Sequence, residues 1–208
     1  MRLRALIAFG MLVGAGAARA DRGETYTLLG YEPGVSNYKL GTTGAGSATR
    51  PAALAFSATA YRGLSNTWHI GGRLRLVSST DVHVGNAIVE MQGGSKAQGD
   101  VYQDHGAFSA GGLLLYRFDT HAPFAPVLEL EGGFSSHQYS RIAFIPTGAT
   151  NSYPQASRSR TGVYGSASLC VEYRFATRWL ASAGVTGQVE TGDMPWSIRV
   201  PIRVGVIW

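Results

Sequence analysis

The sequence predicts an all-β fold: an eight-stranded antiparallel up-and-down barrel whose apolar faces turn outward. Three observations carry that reading. After Ala20, apolar and polar side chains alternate with a period of two along most of the chain, and no long helical period interrupts them. Short and long connections alternate between these stretches. Charged residues make up only 15% of 208, against roughly 25% in an ordinary soluble domain. Lys39 and Lys96 are the only lysines among 18 cationic residues.

The first segment reads as an address rather than a strand. Arg2 and Arg4 precede an uncharged apolar stretch, Ala5 to Ala18, which ends in Ala18-Arg19-Ala20. A basic start, a short apolar run and an A-x-A site make a secretory signal peptide, with cleavage expected after Ala20. The run is short for a membrane-spanning helix. The residue directly after the cleavage site is Asp21 and not a cysteine, so a lipid anchor is not expected. Without this segment the net charge falls from +5 to +2, and the basic excess that would suggest nucleic acid largely disappears. One cysteine, Cys170, excludes an internal disulfide and a cysteine-based zinc cluster.

The expected barrel domain occupies residues 21–208. Its first strand falls near Glu24–Tyr31, where either face fits, and its second near Ala52–Arg62, with Leu54, Phe56, Ala58 and Ala60 on one side. The third sets Trp68, Ile70, Gly72, Leu74 and Leu76 against His69, Gly71, Arg73 and Arg75. The fourth sets Phe108 to Phe118 in alternation against Ser109, Gly111, Leu113, Leu115 and Arg117. In the fifth, Leu128, Leu130, Gly132 and Phe134 oppose Glu129, Glu131, Gly133 and Ser135. The sixth runs from Val163 to Phe175, opposing Tyr164, Ser166, Ser168, Cys170, Glu172 and Arg174. Trp179 to Glu190 is the seventh, and Trp196 to Trp208 the eighth and clearest, with Arg199 and Arg203 on its polar side. Short links are expected at Gly63–Asn66, Asp119–Ala125 and Ala176–Arg178. Longer loops are expected at Glu32–Pro51, Ser78–Gly106 and Tyr139–Arg160, with a shorter one at Thr191–Pro195.

Polarity decides which side of these strands meets the surroundings. The apolar faces of the six clear strands carry no charge, as a lipid face requires, since Arg or Lys there costs about 2–4 kcal/mol at the midplane. The polar faces hold small residues and mixed charges: Arg73, Arg75, Arg117, Arg174, Arg199 and Arg203 with Glu129, Glu131, Glu172 and Glu190. Arginine suits desolvated carboxylate pairing better than lysine. An ion-pair network filling a narrow lumen is expected, with Arg174 beside Glu172 and Arg199 or Arg203 beside glutamates of neighbouring strands. Aromatics gather at the strand ends. Trp68, Tyr116, Phe118, Tyr173, Phe175, Trp179 and Trp208 mark the short-turn side, and Phe108, Phe134 and Trp196 the long-loop side, as interfacial belts would.

The last strand, with Val204, Val206 and the aromatic Trp208, resembles the C-terminal assembly signal of bacterial outer-membrane barrels. The whole chain after Ala20 resembles the small OmpA-transmembrane-domain and OmpX-like barrels in architecture, with no motif specific to one member. The resemblance implies a bacterial outer-membrane location, contact with outer-membrane lipid and lipopolysaccharide, and insertion by the barrel assembly machinery. It implies no cofactor. No peptidoglycan-binding domain is expected after Trp208.

Chemistry-bearing residues are sparse. Ser135 and His137 share one face, and lipid A deacylases are eight-stranded barrels with His and Ser two apart near the rim. Here the order is Ser-x-His on a lumenal face, so no catalytic residue is assigned. Asp81, His83, Glu90, Asp100, Asp104, His105 and His121 lack ligand-like spacing, so no metal site is assigned. Gly85-Asn86 is the expected turn of a hairpin within Ser78–Gly106, and Ile142-Ala143-Phe144-Ile145 is an apolar run within an otherwise polar loop. Envelope integrity or external binding through the long loops is the expected role, without catalysis and without nucleic acid. A lipid-modifying enzyme and a narrow channel are the alternatives.

Overall fold

A computed structural model describes residues 23–39, 47–51, 54–91, 93–118, 123–191 and 196–208. Residues 1–20, where an export signal is expected, and His121 lie outside these residues. The strands are β1 (Thr25–Tyr31), β2 (Gly34–Lys39), β3 (Ser47–Pro51), β4 (Leu54–Gly63), β5 (Trp68–Glu90), β6 (Lys96–Arg117), β7 (Phe124–Pro146), β8 (Tyr153–Pro154), β9 (Arg158–Ala176), β10 (Trp179–Glu190), β11 (Trp196–Arg199) and β12 (Ile202–Ile207). Every pairing is antiparallel, and β12 bonds to both β1 and β10, which closes the sheet on itself.

Two of the interruptions lie side by side. Pro33 separates β1 from β2, and Pro201 lies between β11 and β12. Proline has no N–H for the ladder, so the ladder is interrupted there. The register is not: Tyr31 faces Ile202 below the break and Gly34 faces Arg199 above it, in one continuous count. Val200 N–H donates to the Pro33 carbonyl across the gap at 2.7 Å.

The polarity of the barrel is inverted relative to a soluble domain. Phe134 is 73% exposed and Leu169 62%, whereas Arg73 and Arg203 are 2% and 1% exposed. The alternation read from β4 onward places each polar face inside and each apolar face outside.

The expected long loops are mostly strand. β5, β6, β7 and β9 run on past the apolar belt as a sheet, through Glu90, Lys96, Pro146 and Arg158. Bulges separate this extension from the stem, where the register shifts between Ser79 and Val82 on β5 and between Tyr102 and Asp104 on β6. Asp81 and Arg141, at these bulges, have φ of 53° and 49°. Each bulge moves the alternation by one residue, so a strict two-residue period loses the strand at that point.

Gly85-Asn86 is likewise a bulge, between Val84 and Ala87, and not the hairpin turn. The two strands are closed further on, where Met91 N–H donates to the Ser95 carbonyl at 2.8 Å. Gly93 and Gly94, at φ of 104° and 82°, supply consecutive left-handed residues that no side chain obstructs. The apolar run in β7 is also not a free patch. Ile142 and Phe144 are buried against Val82, Val84, Ala87, Val89 and Val101, which gives the extension an apolar core of its own.

Candidate functional site

The lumen is filled in strata. Nearest the short turns, Glu172 accepts from Arg117 and from the Tyr61 hydroxyl, the latter at 2.6 Å. Arg174 pairs with Glu24 at 3.1 Å and with the Tyr26 hydroxyl. The rings of Tyr26 and Tyr61 stack at 4.6 Å, and both guanidinium groups lie over Tyr26. Next along the strands comes an apolar layer in which Leu28, Leu113, Leu115, Val127 and Leu180 pack together.

A second ionic stratum joins three arginines to three glutamates. Arg73 reaches Glu129 at 2.6 Å and Glu131 at 2.8 Å. Arg75 reaches Glu32 at 2.7 Å and Glu131 at 3.0 Å. Arg203 closes the ring, with Glu129 at 2.7 Å and Glu32 at 3.3 Å. Each arginine therefore shares carboxylates with the other two, and the formal charge cancels. Thr59 accepts from Arg73 Nε at 2.9 Å, while Ser166 and Tyr164 donate to Glu131. Buried charges tolerate desolvation only when their remaining hydrogen-bonding capacity is met in this way. The Tyr164 hydroxyl reaches Glu131 past Gly111, at a point where a side chain on residue 111 would collide with it.

Above these lies a cluster built on β6, β7 and β10. The His137 imidazole bonds to Glu190 through Nε2 at 2.5 Å, and its Nδ1 faces His105 Nε2 at 2.9 Å. Since the carboxylate accepts, His137 carries its proton on Nε2 when neutral, and His105 donates to its Nδ1. The two rings stack at 5.2 Å. Ser135 and Gln188 also donate to Glu190, and Gln188 accepts from Arg199 at 3.0 Å. Ser135, His137 and Glu190 thus meet, but the carboxylate sits between the hydroxyl and the imidazole. A nucleophilic serine needs the imidazole in that middle place, where it can take the hydroxyl proton.

The expected ion-pair partners are partly reassigned. Glu172 belongs to Arg117, and Arg174 reaches Glu24. Arg203 pairs with Glu129 across the lumen and with Glu32, and Arg199 bonds to Gln188, an amide on neighbouring β10. Two residues in a row on one strand face point the same way only at i and i+2, but what they meet across a barrel depends on stagger, which one strand's sequence does not carry. Glu24, Glu32, Tyr26, Tyr61 and His105 are lumenal residues that sequence reasoning did not assign, whereas Tyr164 lies on the polar face the alternation gave it. The usable signal for Glu32 was a lone carboxylate two residues beyond Gly30 on an alternating strand.

The expected short-turn belt forms continuous rows of rings. Trp68 meets Tyr116 at 4.8 Å and Tyr116 meets Phe118 at 4.9 Å. Phe124 stacks on Tyr173 at 4.3 Å, followed by Phe175 and Trp179. Trp196 lies toward the opposite end of the barrel, paired with Val189. Val204 pairs with Leu29 on one side and Ala181 on the other, and Val206 with Thr27 and Trp179. Trp208 exchanges backbone hydrogen bonds with Thr25. Cys170 is buried in the lumen.

The candidate metal ligands disperse. His83 approaches Asp100 at 3.5 Å, Asp104 pairs with Arg141, and His105 turns into the lumen. Among the described residues no group of three such side chains gathers around one point.

No protein-family profile and no curated protein sequence matches the chain. Solved structures do. The attachment invasion locus protein Ail of Yersinia pestis is similar at 14% identity and a TM-score of 0.51, covering 90% of this chain and 99% of its own. Ail in complex with the heparin analogue sucrose octasulfate is similar at 13% identity and a TM-score of 0.55, with the same coverage. Neisserial surface protein A is similar at 13% identity and a TM-score of 0.54, covering 88% of this chain and 96% of its own. The chain has the fold of the small outer-membrane β-barrels, the OmpA/OmpX-like architecture.

Proposed function

We propose that this chain is a non-catalytic outer-membrane barrel that presents a rigid sheet at the cell surface for external binding. The observation that carries the reading is the pairing of a charge-neutral, layered lumen with an extension that holds a separate apolar core. A protein specialised for conduction or chemistry inside the barrel would keep the lumen open, and this one fills it.

In this reading residues 1–20 are a cleaved export signal and 21–208 the barrel. Apart from the two-residue β8 beside β7, the strands group into eight staves, with β1 and β2, β3 and β4, and β11 and β12 each forming one; the unbroken register across Pro33 and Val200 supports this count. The barrel assembly machinery reads the last stave through Val204, Val206 and Trp208. Outer-membrane lipid and lipopolysaccharide surround the aromatic rows. The extension carries Lys96, Arg141, Arg158 and Arg160 against Asp81, Glu90, Asp100 and Asp104, a balance that does not select a polyanion. The exposed Tyr102 and Tyr153 favour an aromatic contact surface instead.

The lipid-modifying alternative rests on the meeting of Ser135, His137 and Glu190, and the position of the carboxylate speaks against it. The test is adhesion of intact expressing cells to basement-membrane matrix. Expressing cells are expected to adhere several-fold better than non-expressing cells, and the Tyr102→Ser, Tyr153→Ser double variant to lose that gain at equal surface display. Equal adhesion by all three would overturn the reading. Lipid A mass analysis of the same cells, unchanged by Ser135→Ala, separates it from the enzyme alternative.

A further inference from the structure

On the outward face of the barrel, at the end nearer the extension, a groove of about 410 Å³ crosses β4 to β7. Its floor is one cross-strand row, Phe56 facing Leu76 and Leu76 facing Phe108, exposed by 51%, 59% and 46%. One row higher, Leu54 faces Ser78, Ser78 faces Gly106 and Gly106 faces Gln138. The apolar belt therefore ends here in neutral hydroxyl and amide groups, and no charged side chain lines the groove. Gly106 makes the notch: a side-chain carbon built there would meet nothing within 4 Å.

We propose that this groove seats one acyl chain of an outer-leaflet glycolipid, with the hydroxyl and amide groups at the chain's attachment point held by Ser78 and Gln138. The proposal rests on the outer-membrane reading above and deepens it by assigning a particular lipid site. Continuity with the belt identifies the occupant as hydrocarbon, since the same exposed row of Phe and Leu runs into the groove without a polar break. The neutral rim identifies the attachment chemistry. A phosphate would call for Arg or Lys, which the groove lacks, whereas hydroxyl and amide groups pair well with a serine and a glutamine. Annular lipid contacts are loose, but a concave site holds a chain against exchange because more of its surface leaves the surroundings.

The test is native mass spectrometry of the full chain in detergent, after incubation with lipid A or with phosphatidylethanolamine. The wild type is expected to retain one lipid A and at least tenfold less phosphatidylethanolamine. Gly106→Leu, whose Cβ would meet nothing within 4 Å, puts side chain into the notch and should lower lipid A retention about tenfold, and Gln138→Leu should lower it while leaving phosphatidylethanolamine unchanged. Heat-modifiable migration on gels verifies that each variant is folded, and Gly106→Val replaces Gly106→Leu should the latter fail. Equal lipid A retention by the wild type and the folded notch variant overturns the site. Equal retention of the two lipids by the wild type overturns the glycolipid assignment. Absence of heat-modifiable migration in the wild type would instead count against the outer-membrane reading itself.

Discussion

The stem buries mainly polar and charged side chains and the extension apolar ones, with the same strands. In the stem, β5 to β7 turn Arg73, Arg75, Glu129 and Glu131 inward and leave Leu74, Leu76, Leu114, Leu128 and Leu130 outside, with Leu113 and Leu115 the lumenal exceptions. Past the bulges at Asp81 and Arg141 the same strands turn Val82, Val84, Ile142 and Phe144 into a core. The difference follows from what lies beyond the outer face. Lipid rewards apolar groups outside and makes the lumen the only place for polar ones, whereas water reverses the preference. Bulges let one strand serve both environments, because a one-residue shift exchanges its faces.

The comparison can be broken most severely from the stem. Glu131→Ala removes the carboxylate shared by Arg73 and Arg75 and leaves two guanidinium groups buried with reduced pairing. A loss of about 3–5 kcal/mol is expected, read as a lower urea midpoint for the heat-modifiable form. Full retention of that midpoint would show that the ring is ornamental to stability. In the extension, Phe144→Ala should cost about 3 kcal/mol through the cavity it leaves, but only locally. Protease should then cut within residues 140–160 while the stem keeps its heat-modifiable migration. Simultaneous loss of both would mean that the two regions fold as one unit.

The cluster between them should respond less. His137→Ala deprives Glu190 of its imidazole donor while Ser135 and Gln188 remain, for an expected loss of about 1–3 kcal/mol. His137→Gln, which can still donate, should recover part of it in the same urea titration. The smallest effect belongs to Arg141→Ala. Its pair with Asp104 is solvated, the arginine side chain being 74% exposed, so a change below about 1 kcal/mol is expected. A larger change would place Arg141 in the packing of the bulge.

How much of this was legible depended on the distance over which the information acts. Alternation along Trp196–Trp208 or Val163–Phe175 is local, and it assigned each face without reference to any neighbour. The bulges at Asp81 and Asn86 hid the extension because they shift the phase of an otherwise intact pattern. The partners of Arg203 were hidden for a different reason: Glu129 lies across the lumen, and only barrel stagger brings the two to 2.7 Å. His105 read as a loop residue until the strand carrying it was known to reach Lys96.

The ring of Arg73, Arg75 and Arg203 with Glu32, Glu129 and Glu131 also constrains how such a sequence can diverge. Each member serves two partners, so replacing one strands two others, and no single exchange restores the balance. Substitutions there can persist only as coordinated sets drawn from β5, β7, β12 and the end of β1. Away from the groove lined by Leu54 and Leu76, the outward-facing leucines answer only to hydrophobicity. A descendant of this chain can therefore rewrite most of its exterior while its lumen drifts in concert or stays fixed.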